Sequence, residues 1–324
     1  MRKMIILVFV IFSLVLFSNG LTIYTYDSFV SGIGQKVIPV FEKMYGCKVN
    51  LLSFGDAGAV LSRLIFEKQN PRADIIIGLD QALLKKAVDN GLIEKYTPIN
   101  INLLKYPEFL NEFAVPYDFG SIALVYNKEK VKNPPKSFQD LLKSEYKGKI
   151  VVEDPRTSST GLSFLLWTIA VYKDKYLDFW NNFKKNILSI TPGWDEAFEM
   201  LESGEADIMV SYATDGAYSY YYYNSVKFVP IILSEGAFVQ VEYASLVKNS
   251  KNKELAKRFL EFILMEEFQK EIPLNQWMFP VTDVKLPEAF QYVPKIGKIL
   301  EVDNSIYEKL EEILKEWSKV VIGG

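Results

Sequence analysis

The chain contains no histidine and a single cysteine. Without histidine it lacks the commonest general base near neutral pH and the commonest transition-metal ligand. A lone Cys47 permits no intrachain disulfide. Its neighbours Val49, Leu51 and Leu52 read as a buried strand, so the thiol reads as a small core group and not as a nucleophile. There is no CxxC, no Ser/His/Asp set and no glycine-rich loop of phosphate- or dinucleotide-binding type. Carboxylates are plentiful but scattered, so spacing alone leaves a carboxylate pair open.

Long apolar runs are also scarce, and the one that exists is informative. Arg2 and Lys3 precede an apolar stretch from Met4 to Phe17, followed by Ser18-Asn19-Gly20. That pattern predicts a signal peptide cleaved near Gly20, and so export to the periplasm. Subtracting Arg2 and Lys3 from the 37 basic residues leaves 35 against 40 acidic ones, a net charge of −5 for the mature chain. That balance argues against a nucleic-acid partner. The mature length, roughly 300 residues, suffices for two lobes.

Strands and helices alternate from the start. Strands are expected at Leu21–Thr25, Lys48–Phe54 and Asp74–Gly78. Helices are expected at Gly34–Tyr45, Asp56–Lys68 and Gln81–Asn90. This order implies a largely parallel sheet covered on both faces. A second α/β unit follows within the chain. It includes an apolar segment Phe119–Tyr126, a helix around Phe138–Ser144, a strand Lys149–Val152, a helix Gly161–Tyr172 and a strand Ala206–Tyr212. Strands at Phe228–Leu233 and Val239–Val247 lead to a helix at Asn252–Glu266. No flexible linker joins the units, so strands themselves are expected to cross between lobes, near Pro116-Tyr117 and near Asn224-Ser225. The lobes are expected at 21–115 with 228–278, and at 116–227 with 279–324. A tail helix at Ile306–Val321 is expected to pack on the second lobe. Between such lobes lies the natural ligand cleft.

Candidate binding residues fall at strand-to-helix junctions. Three are polar: Tyr24 to Phe29, Gly55 to Gly58, and Asp154 to Gly161. Each offers free N–H groups at a helix start, where Ser, Thr and Asp serve either as plain caps or as ligand contacts. Aromatic residues mark others: Trp194 after Pro192-Gly193, Tyr212 at a strand end, Tyr218 beyond it, and Trp277 after a helix. Rings at such junctions suit a flat or cationic ligand. The run Tyr220-Tyr221-Tyr222-Tyr223 admits a ferric-ion reading or a plain structural one.

Taken together, Tyr24 to Phe29, Asp154 to Leu162, Leu165-Leu166-Trp167, Gly193-Trp194, Ser211-Tyr212 and Asn275 to Val281 resemble the periplasmic thiamine-binding family of ABC-importer receptors. The resemblance runs from Leu21 to about Lys319. It implies a two-lobed α/β fold of the type II periplasmic-binding-protein kind, with two mixed sheets joined by hinge strands. It also implies a non-catalytic monomer that binds thiamine or a thiamine phosphate, needs no cofactor or metal, and serves a permease in the inner membrane. Matching positions imply ligand contacts at Tyr26, Asp56, Ala57, Ser158, Ser159, Trp194, Tyr212, Thr214, Asp215, Tyr218 and Trp277. Two positions depart from the family pattern: Ala57 replaces a glycine, and Ala213-Thr214-Asp215 replaces a run of hydroxyl residues. The added carboxylate leads to the expectation that this protein takes unphosphorylated thiamine better than its family does, and the diphosphate worse. The alternatives are a receptor for a polyamine or ferric iron, and an enzyme that cleaves thiamine through Cys47.

Overall fold

The structure, a computed structural model, describes residues 20–323. The signal-peptide expectation, Met4 to Asn19, therefore lies outside the described residues. Among the described residues, no helix is long and apolar enough to cross a membrane.

The first lobe begins with β1 (Gly20–Thr25), the short helix α1 (Asp27–Ser31) and α2 (Gly34–Tyr45). It continues through β2 (Lys48–Ser53), α3 (Ala57–Phe66), β3 (Ile75–Leu79) and α4 (Gln81–Asp89). β1 lies between β2 and β3, parallel to both. β3 is wholly buried, as its unbroken apolar sequence requires. β2 is the sheet edge and alternates exposed with half-buried residues, so it is not the buried strand its sequence suggests. Cys47 just before it is nevertheless buried, and burial raises its thiol pKa, which suits an inert core residue.

β4 (Val115–Asn127) opens the second lobe, which continues with β5 (Ile150–Glu153), α5 (Ser159–Tyr172), α6 (Tyr176–Phe183), β6 (Ile187–Thr191), α7 (Trp194–Ser203), β7 (Ile208–Tyr212), α8 (Asp215–Tyr223) and β8 (Phe228–Ile231). The helix expected around Phe138–Ser144 is instead a pair of single 3₁₀ turns. Next come β9 (Ala237–Leu246), α9 (Lys253–Ile263), the one-turn helices α10 (Glu266–Gln269) and α11 (Ile272–Asn275), and β10 (Phe279–Pro280). β11 (Ile299–Leu300), α12 (Asn304–Glu308) and α13 (Leu310–Val321) complete the chain.

Two long strands join the lobes. β4 pairs with β9 through Val115–Ile122 and with β7 through Ile122–Tyr126. β9 pairs with β3 at its far end. The hydrogen-bonded ladder is thus continuous from one lobe to the other, and the hinge is made of strand rather than loop. The outward connection lies in β4, whose register with β9 shifts between Pro116 and Asp118 and whose partner changes from β9 to β7 at Ile122. The return crossing is in β9, not near Asn224-Ser225. Asn224 instead ends α8 in the left-handed conformation, and β8 after it still pairs with the second-lobe half of β4.

The second lobe is built on aromatic packing. α5 is buried on every side from Ser159 to Ala170, which explains its lack of a polar face. Trp180, on α6, meets Trp317 of α13 edge-on at 5.5 Å. The tail helix therefore does pack on the second lobe, although it breaks at Lys309 into α12 and α13. Replacing the fully buried Trp317 with alanine is expected to cost about 3–5 kcal/mol in urea unfolding. Phenylalanine costs less, because the indole N–H has no partner to lose.

Candidate functional site

A cleft of about 700 Å³ lies between the lobes. Its walls come from the turns after β1 and before α3, from α1 and α2, from the end of β7 and the middle of β9, from α5, α7 and α8, and from the segment 274–278. Of the candidates from the sequence, Tyr26, Asp56, Ser159, Trp194, Tyr212, Asp215, Tyr218 and Trp277 all line it. Ala57, Ser158 and Thr214 do not. Ala57 is buried as the first residue of α3, and Ser158 is the buried N-cap of α5, its hydroxyl accepting from the Gly161 N–H at 3.3 Å and also meeting the Asp56 carboxyl. Thr214 is fully buried beneath the start of α8.

The aromatic wall is continuous. Trp194 stacks on Phe198 at 4.8 Å, and Phe198 meets Tyr218 edge-on at 5.0 Å. Tyr218 meets Trp277 edge-on at 5.2 Å. Trp277 has φ +57°, a left-handed backbone rarely taken by a bulky residue. Its N–H donates to the Ile272 carbonyl at 3.1 Å, which helps hold that conformation at the cleft. The run of tyrosines does not converge on one point. Tyr220 stacks on Tyr292 at 4.1 Å, Tyr221 and Tyr222 surround Trp277, and the Tyr223 hydroxyl donates to Glu202. Among the described residues no three His, Cys, Asp or Glu side chains cluster as metal ligands.

Charge in the cleft is one-sided. Among the described residues, Asp56, Asp195, Glu199, Glu202, Asp215 and Glu242 line it, against Lys36 alone as a cation. Desolvation, reinforced by Asp56 and other nearby acids, pushes Asp195 up to about 6. Burial pushes Asp215 up to about 7, partly offset by the Ser211 hydroxyl, which also accepts from the Trp194 indole N–H at 2.8 Å. Asp215 Oδ2 is buried without a partner. Such a wall favours a cation and repels an anion.

Asp56 ties the lobes together. It caps α3 by accepting from the Ala57 N–H at 2.6 Å, and its other oxygen accepts from the Trp194 N–H across the cleft at 3.2 Å. Burial raises its pKa, while Ser158 and these two N–H groups lower it. Beside it the Ala59 N–H donates to the Thr157 carbonyl at 3.2 Å. Gly58 makes this approach possible, since a Cβ there would stand 2.7 Å from the Thr157 oxygen. Gly58→Ala is therefore expected to prop the lobes apart. Ligand affinity should fall about tenfold, the equivalent of about 1.4 kcal/mol of overpacking, and the radius of gyration by X-ray scattering should rise.

The floor of the cleft was not anticipated from sequence. Glu242 on β9 accepts from Tyr117 at 2.7 Å and from Tyr26 at 3.0 Å. Gln240 donates to the Tyr212 hydroxyl at 3.0 Å, and Thr160 lies 2.9 Å from the same oxygen. Gln276 donates to Tyr26 at 2.5 Å. No local pattern marks these residues, because they meet only when β9 pairs with β4. The Tyr26 ring rests on Gly78, whose φ of +103° and absent side chain leave room for it.

Two lobes hinged on shared strands around a cleft define a solute-binding protein. The sequence profile of bacterial extracellular solute-binding proteins matches residues 70–296, and the chain belongs to that family. It is similar to the thiamine-binding periplasmic protein of Salmonella typhimurium (strain LT2), at 37% identity over 93% of both chains. That of Brucella melitensis biotype 1 is 40% identical over 87% of this chain and 86% of the relative. A solved structure of a periplasmic thiamin binding protein superimposes with a TM-score of 0.89 at 36% identity, over 93% of this chain and 96% of that one. The fructose-6-phosphate-bound AfuA of Actinobacillus pleuropneumoniae shares the fold, with a TM-score of 0.83 at 20% identity. The thiamine-binding relatives are periplasmic binding proteins, not enzymes.

Proposed function

We propose that the cleft captures thiamine, and that the protein hands it to a permease of an ABC importer in the inner membrane. The observation that carries this reading is a cleft whose described lining combines aromatic rings with six carboxyl side chains and one lysine. Thiamine is a flat aminopyrimidine joined to a thiazolium cation, which such a wall suits. Trp194, Tyr218 and Trp277 supply ring faces, each cation–π contact being worth roughly 0.5–2 kcal/mol. Asp56 and Glu242 supply negative charge at the inner end. Ser159 and the N–H groups opening α5 are available to the hydroxyl end. The thiamine-binding relatives support the same ligand class.

The protein acts as a monomer in this reading, and closure about β4 and β9 traps the ligand. Native mass spectrometry of the purified protein tests it. The expected result is a single adduct with the mass of thiamine, formed on addition if not already present. An adduct only with ferric ion or a polyamine would replace thiamine with the alternative ligand.

A further inference from the structure

At the floor of the cleft, β4 and β9 bring two carboxyl groups face to face. Asp118 and Glu242 are register partners across the antiparallel ladder, and both are buried. Glu242 lines the cleft, and Asp118 lies behind it. Glu242 is well supplied with donors. One oxygen accepts from Tyr117 at 2.7 Å and Tyr26 at 3.0 Å, and the other accepts from Gln240 at 3.2 Å. Asp118 is not: no donor among the described residues reaches either of its oxygens, and the group beside it is the Glu242 carboxyl. Two buried carboxylates at that range do not both ionise. A single proton between them gives Asp118 the hydrogen bond it otherwise lacks.

The surroundings supply no compensating positive charge. Tyr26 faces the pair from the turn after β1, Tyr117 from β4 and Tyr212 from β7. Asp56 acts from the turn before α3, and Asp80 from the turn before α4. Gln240 and Gln276 are neutral, and Lys36 of α2 stands elsewhere on the cleft lining. Burial raises both carboxyls above the ordinary range; the Glu242 charge adds to the rise at Asp118, and the Asp56 charge to that at Glu242.

We propose that Asp118 and Glu242 form a proton-for-cation exchanger: the pair holds one shared proton before the ligand enters and releases it when a cationic ring settles against Glu242. The carboxyl O–H bond breaks, the proton passes to water or buffer, and the ligand's positive charge takes its place, leaving the net charge of the floor unchanged. The proposal rests on the reading of the ligand as an organic cation of the thiamine class. The sign of the linkage is fixed. Binding releases a proton, so it tightens by about tenfold per pH unit as pH rises, then levels off once the free pair has ionised.

Calorimetric titrations of thiamine at one pH in phosphate, HEPES and Tris buffers test this. Their heats of ionisation differ, so the slope of binding heat against buffer heat counts protons. About one proton released per ligand is expected in the unmodified protein. The count should fall toward zero in Glu242→Gln, which keeps the shape of the side chain, and in Asp118→Asn. Protonation of the ligand itself is common to all three proteins and cancels in the comparison. Saturable heat with no buffer dependence overturns the exchanger alone. So does a proton count unchanged in both variants, or one abolished by Asp215→Asn while Glu242→Gln retains it. If circular dichroism finds Glu242→Gln unfolded, Asp118→Asn decides. No saturable heat with the unmodified protein overturns the ligand reading, and the exchanger with it.

Discussion

Asp56→Ala is expected to weaken thiamine binding about a hundredfold, the equivalent of about 3 kcal/mol. One side chain performs three tasks that alanine cannot. Its carboxylate caps α3 through the Ala57 N–H, and that cap alone is worth about 1 kcal/mol. It also accepts the Trp194 N–H from the opposite lobe, which favours the closed form. Finally, it places negative charge on the cleft wall beside Trp194. Asp56→Asn separates these tasks. Asparagine keeps one acceptor oxygen for the α3 cap, but it carries no charge and presents an NH2 where the second oxygen accepted from Trp194, so the expected loss is at least about tenfold. Equal losses in the two variants would put the whole effect on the charge and the Trp194 contact, and none on the cap. No loss in either would remove Asp56 from the site.

The second large effect concerns phosphate. Thiamine diphosphate is expected to bind at least about tenfold more weakly than thiamine. At an effective dielectric constant of about 20, each like-charge pair about 8 Å apart costs about 2 kcal/mol before screening. Asp195, Glu199, Glu202 and Asp215 all stand on the second-lobe wall, while among the described residues Lys36 is the one cation lining the cleft. Asp215, raised to about 7 by burial, adds a pH signature. A carboxyl shifted upward is neutral below its pKa and charged above it. The preference for thiamine should therefore widen as pH rises through about 7 and narrow below it. Asp215→Ser should reduce the preference and flatten its pH dependence. Titration of the three phosphorylation states at two pH values checks both. A preference for the diphosphate would mean that the phosphates lie away from this wall.

Much of this arrangement is legible in the sequence because it is local. Alternating apolar and polar segments identify the α/β order, and the wholly apolar Ile75 to Leu79 identifies a central strand. Tyr26, Asp56, Trp194 and Tyr218 stand out because each is a polar or aromatic residue at a junction where a core residue would be misplaced. The same reasoning does not separate Ser158 and Thr214, which lie off the cleft lining, from residues on it, since a hydroxyl at a helix start looks the same whether it faces a ligand or its own backbone. It cannot reach Glu242, Gln240 or Asp118. These sit inside β4 and β9, where register alone decides which face a side chain takes and which residue stands opposite. The return crossing was misplaced for a related reason. Asn224 and Ser225 look like a turn, and they are one, but a turn that keeps the chain within its lobe.

Calorimetric titration with thiamine, repeated with a neutral analogue of the same shape whose second ring carries no charge, reaches the core of the account. Saturable one-to-one binding of thiamine is predicted, with the uncharged analogue weaker by about tenfold or more. Equal affinity for the two, or no saturable binding of thiamine, would contradict a cleft built to select a flat cation.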